Sequence, residues 1–454
     1  MPKLPVDPSL AKIREAADKF GIRQLWLVGG AVRDQLLGLE TTPDFDLAIG
    51  GSAQDFAAYL YKTGVSSITP VTYPQFGTAM VRVDQLQIEL AQLRKESYRS
   101  KSRKPIVEPA TLEEDAARRD ITINALYLDL WTGEVVDPTG HGLADMASRI
   151  LRTPREPSVT FNEDPLRMMR VIRFRWQFGL TPVERLYESI KDCSARLSII
   201  SLERIRDELC KMMVGPAPDK ALEDLRQLGL LAQFAPEFLD MLDVEQGSFH
   251  HLDVWYHTLA AVRLTEPDLV LRLAALFHDI GKPPTRTVED TGRTRFFGHE
   301  VVGAKMTAQV MRRLKFANDT IDEVCLLVRN HMRLGSSPNL TKPALRRLMR
   351  DLGDELPRLF SLVEADSKAC KPGLPLVDVN TIRERVKEIT LTTPAAKLQS
   401  PLDGEEIMRL TGLPQGQKVG EIKRRLEEAV LDGDLGPDDT EAARALVKKW
   451  AQNR

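Results

Sequence analysis

Near residue 150 the hydrophobic period of the chain changes, and this limits the folds open to it. From about 23 to 150, short β-rich runs (QLWLVGG, TAMVRVD, LQIELAQL, NALYLDL) alternate with helical stretches between Gly, Pro and Asp punctuation. After Pro157, the runs DPLRMMRVIRFRWQFGL, VERLYESIKDC, LERIRDELCKMMVG and DKALEDLRQLGLLAQF carry apolar residues at three-and-four spacing. Ser201 before LERIRDEL, with a glutamate close behind, reads as a helix start. An α/β or α+β head followed by an almost wholly helical remainder is therefore expected. Its 454 residues exceed one ordinary hydrophobic core, so two to four domains are expected. Boundaries fall near 150, near 245 and in the Pro/Thr-containing stretch 371–401. They divide the chain into an N-terminal helix (1–22), a head (23–150), a helical neck and body (151–245), a further helical domain (246–375) and a helical tail (376–454). No internal repeat or long low-complexity segment is visible.

Composition excludes several classes. No apolar run approaches the roughly 20 residues that would span a bilayer, and MPKLPVDPSLAKIREAADKF lacks an apolar signal region, so cytosolic residence is expected. Cys193, Cys210, Cys325 and Cys370 lie far apart without CxxC spacing, which predicts packed thiols rather than a disulfide framework or zinc knot. The net charge of −2 argues against a uniformly basic coat. Local tracks remain: Arg94 to Lys104 holds six basic residues against one acid, and Arg312 to Arg350 holds nine against three. Either is compatible with a nucleic-acid contact or with a solvated face.

The chemistry concentrates first around LVGGAVRD and DFDLA. In an extended segment side chains alternate faces, so Asp44 and Asp46 project together, close enough to share divalent cations. Such a pair suits two-metal chemistry on a nucleoside triphosphate. Gly29 and Gly30 end one strand and open a helix, where backbone N–H groups and Arg33 can face a phosphate. Glu89, in QIELAQLR, is either a third carboxylate of the same pocket or a strand-edge acid. In EEDAARRDITINA, Arg118 and Arg119 can each grip two phosphate oxygens, while Asp120 and Asn124, a helical turn apart, can orient a ribose or the arginines. In FNEDPLRMMRVIRF, Asn162 reads as an N-cap, with Glu163, Asp164 and Pro165 in the first turn and Arg167, Arg170 and Arg173 at threes. Asp164 and Arg167 then share a face, as a surface ion pair or as acceptor and donor for the edge of a base.

The order GGAVRD, DFD, IELAQLR, EEDAARRDITINA, GLADMASRILRTP, NEDPLRMMRVIRF resembles the class II tRNA nucleotidyltransferases, the bacterial CCA-adding enzymes and their poly(A) polymerase relatives. Six ordered motifs over residues 27 to 178 make the resemblance specific. It implies an α+β fold with a polymerase-β-like head (mixed sheet with helices), then an all-helical neck and body. It also implies Asp44 and Asp46 as Mg²⁺ ligands, Arg119, Asp120 and Asn124 as nucleotide and sugar contacts, Asp164 with Arg167 as base selector for CTP and ATP, and Arg170 and Arg173 beside the phosphates. Ile121 replaces the family's usual aromatic, a packing change.

Six of the seven histidines fall between 250 and 331. His257, His278-Asp279, His299, His331 and Asp366 form a series resembling the HD phosphohydrolase superfamily. This implies an HD domain over 246–375, with His257, His278, Asp279 and Asp366 as ligands of a divalent transition metal, and His299 and His331 as second-metal or phosphate contacts. Lys282 is placed to reach a substrate phosphate. In the tail, Gly416 to Gly420 before EIKRRLEEAVLDGDL is either a backbone-phosphate contact or a tight helix turn, and Lys423, Arg424 and Arg425 suit a tRNA backbone.

The expected activity is template-independent addition of C, C and A to tRNA 3′ ends from CTP and ATP. The alternatives are a CC-only or A-only enzyme, a poly(A) polymerase, and an HD phosphohydrolase with a degenerate head. The long Lys/Arg/Ser stretch after Arg94 favours competence for A addition, the HD series argues against a poly(A) polymerase, and intact acids at 44 and 46 argue against a degenerate head.

Overall fold

The structure, a computed structural model, describes residues 2–40, 44–97, 106–246, 252–335, 340–371, 373, 377–392 and 398–452. The chain forms two units, Met1–Pro236 and Glu237–Arg454. The first is α+β and the second is helical apart from a two-stranded hairpin at Thr287–Val288 and Thr294–Arg295.

Seven strands of the first unit make one mixed sheet. They are β1 (Leu25–Val28), β2 (Asp44–Ile49), β3 (Val71–Tyr73), β4 (Thr78–Val83), β5 (Leu86–Gln92), β8 (Tyr127–Asp129) and β9 (Val135–Val136), in the order β3-β4-β5-β2-β1-β8-β9. A separate antiparallel hairpin, β6 (Arg94–Ser97) and β7 (Ile106–Pro109), leaves the end of β5; the basic tip between its strands lies outside the described residues. Within the seven-stranded sheet β2 and β5 pair in parallel and the other neighbours are antiparallel. Period-two alternation sorts β2 cleanly: Phe45 and Leu47 are buried, and Asp44 and Asp46 face solvent. The same holds in β5, where Ile88 and Leu90 are buried and Glu89 is exposed. Leu47, Ile88 and Leu90 pack with Ile13, Ala16 and Ala17 of helix α1 (Ala11–Phe20) and with Phe56, Ala57 and Leu60 of α3 (Ala53–Lys62), while α2 (Gly30–Leu36) follows β1. Burying each of these large side chains contributes about 1.5–3 kcal/mol, and sliding the register by one residue would bury the acids instead. The core thus fixes the orientation of the carboxylates.

The remaining arginines and acids lie on, or in the turns after, the helices that follow. Helix α4 (Leu112–Ala117) starts at a capping box in which Thr111 Oγ1 accepts from Glu114 N and Glu114 accepts from Thr111 N. After α5 (Gly142–Ser148) come α6 (Pro157–Glu163) and α7 (Leu166–Phe178). Here the sequence expectation needs correcting. Asn162 and Glu163 end α6 rather than start a helix, and Asp164 is the extended residue between the two helices. Pro165 causes the break: the residue before a proline is pushed out of the helical region, and Asp164 sits at φ −133°, ψ 100°. Ser201 does precede α9 (Leu202–Met213), as expected, but its side chain makes no capping bond. Between them lies α8 (Leu186–Cys193), and α10 (Pro218–Gln227) supplies Asp224, which accepts from Arg175, Trp176 and Tyr187 and ties α10 to α7 and α8.

The second unit contains α11 (Val254–Leu264), α12 (Leu269–Phe277), α13 (Lys282–Thr285), α14 (His299–Arg313), α15 (Asn318–Asn330), α16 (Met332–Gly335), α17 (Lys342–Leu352) and α18 (Leu356–Ala369), with the histidine series on or directly after α11, α12, α14, α15 and α18. Helices α19 (Val379–Thr392), α20 (Gly404–Thr411), α21 (Gln417–Asp432) and α22 (Thr440–Gln452) follow. Four of the nine basic residues of the 312–350 track are ion-paired: Arg313 with Glu237, Arg333 with Asp351, Arg347 with Glu428 and Asp432, and Arg350 with Glu427. Arg347 and Arg350 thus belong to a helix-packing seam between α17 and α21. No helix among the described residues is long and apolar enough to cross a membrane. The cysteines are free thiols, Cys193 buried and the others half-buried.

Candidate functional site

A cleft of about 730 Å³ in the first unit is lined by Gly29, Gly30, Arg33, Asp46, Arg118, Arg119, Asp120, Asn124, Asp164, Arg167, Arg170, Arg173 and Arg204, among others. Nearly every residue expected from the head motifs therefore meets there.

Of the three acids expected on the strands, Asp46 lines the cleft, and Asp44 and Glu89 lie next to it on the sheet. Asp46 and Glu89 are cross-strand partners on β2 and β5, with Asp44 two residues back on the same face. Partial enclosure by the walls pushes the Asp46 carboxyl above its usual range, Arg119 pulls it down, and Asp44 pushes it up again. Enclosure and then Asp46 likewise raise Glu89, with Arg94 opposing. Three like charges held together on rigid strands are poorly compensated by the protein itself, and an oxygen-only donor set of this kind fits a hard divalent cation. Gly29 lies beside them at φ +72°, a conformation few other residues adopt, and a side chain there would meet Arg119 Nη1 at 3.7 Å and Asp46 Oδ2 at 3.8 Å.

Arginines line the rest of the cleft, and Arg33, Arg170 and Arg173 are each tied to neighbouring side chains. Arg33 Nη1 donates to Asn124 Oδ1 at 2.6 Å and the guanidinium lies 4.5 Å from the centroid of Phe178. Asn124 Nδ2 donates to Asp120 Oδ1 at 3.0 Å, and Arg170 Nε donates to Asp120 Oδ2 at 2.8 Å. Burial works against ionisation of Asp120, but Arg170, Asn124 and the Ile121 N–H outweigh it and bring its pKa to about 2. Asp120 and Asn124 thus orient arginines, one of the two roles the sequence left open. Arg173 Nε donates to Glu208 Oε2 at 2.7 Å.

Asp164 and Arg167, expected to select the base, are arranged differently from a simple i,i+3 pair. Arg167 is buried and donates to Glu163 Oε2 at 3.2 Å and Thr160 O at 3.3 Å. Asp164 accepts from Leu166 N at 3.1 Å and from Arg204 Nη2 of α9 at 2.9 Å. Both line the cleft, but each is fixed by another residue. Sequence reasoning missed Arg204 and Glu208 because no local spacing connects α9 to α7. It also missed Asp115, whose i,i+3 and i,i+4 spacing to Arg118 and Arg119 was a readable signal.

The histidine series closes into a second cluster, wholly within the second unit. His257, His278 and Asp366 bring one ligand atom each within 4.8 Å of one another, as do Asp279, His299 and His331. Asp279 touches both sets: Oδ2 lies 3.1 Å from His278 Nε2 and 3.7 Å from His257 Nε2, and Oδ1 lies 3.5 Å from His299 Nε2 and 3.9 Å from His331 Nε2. The Nδ1 atoms of His278, His299 and His331 each face a backbone carbonyl, at 2.7, 2.9 and 2.7 Å, which leaves Nε2 as the inward-facing atom of each ring. His299 Nε2 and His331 Nε2 face each other at 3.2 Å, and fully buried His278 Nε2 makes no well-aligned hydrogen bond. Burial, with His278 and His299 beside it, drops His331 to about 4, so its ring is neutral near pH 7. Buried imidazole lone pairs converging on carboxylates fit divalent metal better than they fit one another. Lys282 corrects an expectation: its Nζ donates to Asp279 Oδ2 at 2.6 Å and Gln246 Oε1 at 2.5 Å, so it is engaged with the cluster rather than directed at a substrate.

The tail places Gly416 at the start of α21, with Gly420 inside the helix, and Arg425 stacks 4.1 Å from the centroid of Trp450. Lys423 and Arg424 are exposed.

Comparison with known proteins agrees with this geometry. Residues 25–152 match the family described as Poly A polymerase head domain, 179–242 match "Probable RNA and SrmB- binding site of polymerase A", and 249–367 match the HD domain. An A-adding tRNA nucleotidyltransferase of Deinococcus radiodurans is 34% identical over 94% of this chain and 95% of its own. A CC-adding tRNA nucleotidyltransferase of Thermus thermophilus is 34% identical over 94% of both. The chain therefore belongs to the tRNA nucleotidyltransferase family and is a nucleotidyltransferase with an appended HD domain. The Bacillus stearothermophilus CCA-adding enzyme, solved in complex with CTP, shares the fold at TM-score 0.72 and 22% identity over 99% of both chains. The Thermotoga maritima CCA-adding enzyme complexed with tRNA does so at 0.59 and 19%, over 97% of this chain and 95% of that one. The two families represented are metal-dependent.

Proposed function

We propose that the protein adds C, C and A to tRNA 3′ ends, taking CTP and ATP without a nucleic-acid template. The carrying observation is a cleft lined by Gly29, Gly30, Asp46, Arg119, Asp164 and Arg167, with Glu89 paired to Asp46 across the sheet and Asp44 two residues away on the same strand face. Asp44 and Asp46 hold Mg²⁺, which when bound supplies charge neutralisation of the triphosphate and acidifies the primer 3′-hydroxyl. The chain's own residues do the rest. Arg118 and Arg119 grip phosphate oxygens beside the Gly29-Gly30 turn, and Asp120 and Asn124 keep Arg170 and Arg33 in place. In-line attack of the 3′-oxygen on the α-phosphorus forms the new P–O bond and releases pyrophosphate.

Base choice follows from donor and acceptor pattern. Asp164 accepts from the exocyclic amino group that cytosine and adenine share, and Arg167 donates to the adjacent ring nitrogen; uracil and guanine present the reverse pattern at those positions. Arg204 and Glu163 fix the two side chains before the base arrives. On this reading the head (23–150) and neck (151–245) form the transferase, and the HD domain (246–375) and tail (376–454) follow.

A narrower reading, addition of CC only or of A only, is favoured by one observation. The A-adding and CC-adding relatives align over 94% of the chain, whereas a multifunctional CCA protein of Actinobacillus pleuropneumoniae aligns over 68%. Transcripts ending before C, after CC and after CCA, offered CTP, ATP or both, separate the readings. Full-length products from the first transcript with both nucleotides are expected. Arrest after CC, or extension of the CC transcript alone, would establish a partial enzyme.

The second cluster supports phosphohydrolase activity in the HD domain. Its six imidazole and carboxylate residues hold one or two divalent transition-metal ions, with Asp279 between the two sets, and the substrate class is a phosphate or 2′,3′-cyclic phosphate on an RNA end.

A further inference from the structure

Asp115 was not among the residues expected to matter, yet it lies at the junction of three parts of the head. Its side chain is almost fully buried, and five donors converge on it. On Oδ1 these are Arg118 Nη2 at 2.8 Å, Arg118 Nε at 3.0 Å and the Arg94 backbone N–H at 3.2 Å. On Oδ2 they are the Tyr127 hydroxyl at 2.6 Å and Arg119 Nη2 at 3.2 Å. The cluster closes on itself. Arg118 Nε also donates to Arg94 O at 3.0 Å, and Arg119 Nε donates to Tyr127 Oη at 3.0 Å while the guanidinium lies 5.0 Å from that ring's centroid.

Arg94 is the first residue of β6, so the root of the hairpin is tied to the same carboxylate as both arginines. Arg119 uses Nε and Nη2 inside the cluster and extends Nη1 toward Gly29 and Asp46, where the triphosphate sits on the reading given above. We propose that Asp115 is a positioning residue for triphosphate binding, one buried carboxylate that sets Arg118, Arg119 and the hairpin root as a single unit.

A buried carboxylate accepting this many charged donors stabilises a fixed geometry more than it stabilises the fold. Two adjacent guanidinium groups repel, and Asp115 is the acid that both reach. With it neutralised the arginines keep their charge but lose their spacing and direction. The consequence is specific: ligands gripped through β- and γ-phosphates weaken, while ligands gripped through base and ribose do not.

The test compares binding of CTP and of CMP, in Mg²⁺, to the full chain and to Asp115→Asn, an isosteric change that removes the charge. The proposal rests on the transferase reading, and the two fail differently. The wild-type protein is expected to bind CTP more tightly than CMP, and Asp115→Asn is expected to weaken CTP by about tenfold or more with CMP changed less than about twofold, as loss of charge-assisted hydrogen bonds predicts. Asp115→Asn combined with Arg119→Lys is expected to cost little more than either change alone, because the residues act as one unit. Equal weakening of CTP and CMP, or no weakening of either, overturns the positioning role. Failure of the wild-type protein to bind CTP overturns the transferase reading itself. Should Asp115→Asn not fold, Tyr127→Phe decides: it removes the shortest of the five bonds, and a selective loss for CTP of about threefold or more is expected, with an equal loss for CMP contradicting the proposal.

Discussion

Changing Asp46 to alanine is expected to lower incorporation of both CMP and AMP into tRNA by on the order of 10³-fold or more, about 4 kcal/mol of barrier, while tRNA affinity stays within about twofold. Asp46 is paired across the sheet with Glu89 and two residues from Asp44, and Arg119 approaches it directly. Removing it takes away a rigidly placed cation ligand and leaves Arg119 without its acidic neighbour at the reacting end of the cleft. The fold should hold, because Asp46 faces out of the sheet and the core lies on the Phe45 and Leu47 side. The measurement is single-turnover extension of tRNA transcripts with CTP or ATP, alongside gel-shift binding of the same transcripts. Loss of one nucleotide with retention of the other would show that the site is not shared.

The second large effect is in the HD domain. Asp279→Asn is expected to reduce metal retained by the purified protein more than tenfold, measured by elemental analysis, and to reduce hydrolysis of 2′,3′-cyclic AMP by on the order of 10³-fold. Asp279 has carboxylate oxygens within 4 Å of ring nitrogens from both candidate ligand sets. His278 and Lys282 hold its carboxyl well below the ordinary range despite complete burial, so it is ionised and available to cations throughout the neutral pH range. The amide in its place has no charge to balance Lys282 Nζ, 2.6 Å away, and that ammonium would oppose any cation in the cluster. Binding of CTP to the head is the folding control. Full metal content in the variant would mean that the two histidine sets act independently of Asp279.

Much of this was legible in the amino-acid sequence for a physical reason: it depended on periodicity. Alternation along β2 put Asp44 and Asp46 on one face, and burial of Phe45 and Leu47 fixed which face. The His and Asp series was legible through its resemblance to the HD superfamily, and the fold brings its members together. What stayed hidden depended on partners distant in sequence. Nothing local tells that Arg204 would hold Asp164, that Glu208 would hold Arg173, or that Glu427, Glu428 and Asp432 would neutralise the arginines of α17. The helix break at Asp164 was locally encoded, but Pro165 was read as a first-turn proline rather than as the cause of an extended residue before it. That one misplaced boundary changed Asp164 from a helix-surface acid into a carboxylate presented between two helices. Lys282 was read by its spacing to His278, and the structure instead buries its ammonium against Asp279.

The proposed function requires the cleft's acids and arginines together to seat a metal-bound nucleoside triphosphate. Determining the crystal structure after soaking with CTP and Mg²⁺ tests this directly. Triphosphate density beside Gly29, Gly30 and Arg119, with metal at Asp44 and Asp46 and the cytosine edge at Asp164 and Arg167, is the predicted result. An otherwise well-ordered molecule with that cleft empty, or with the nucleotide bound elsewhere, would contradict it.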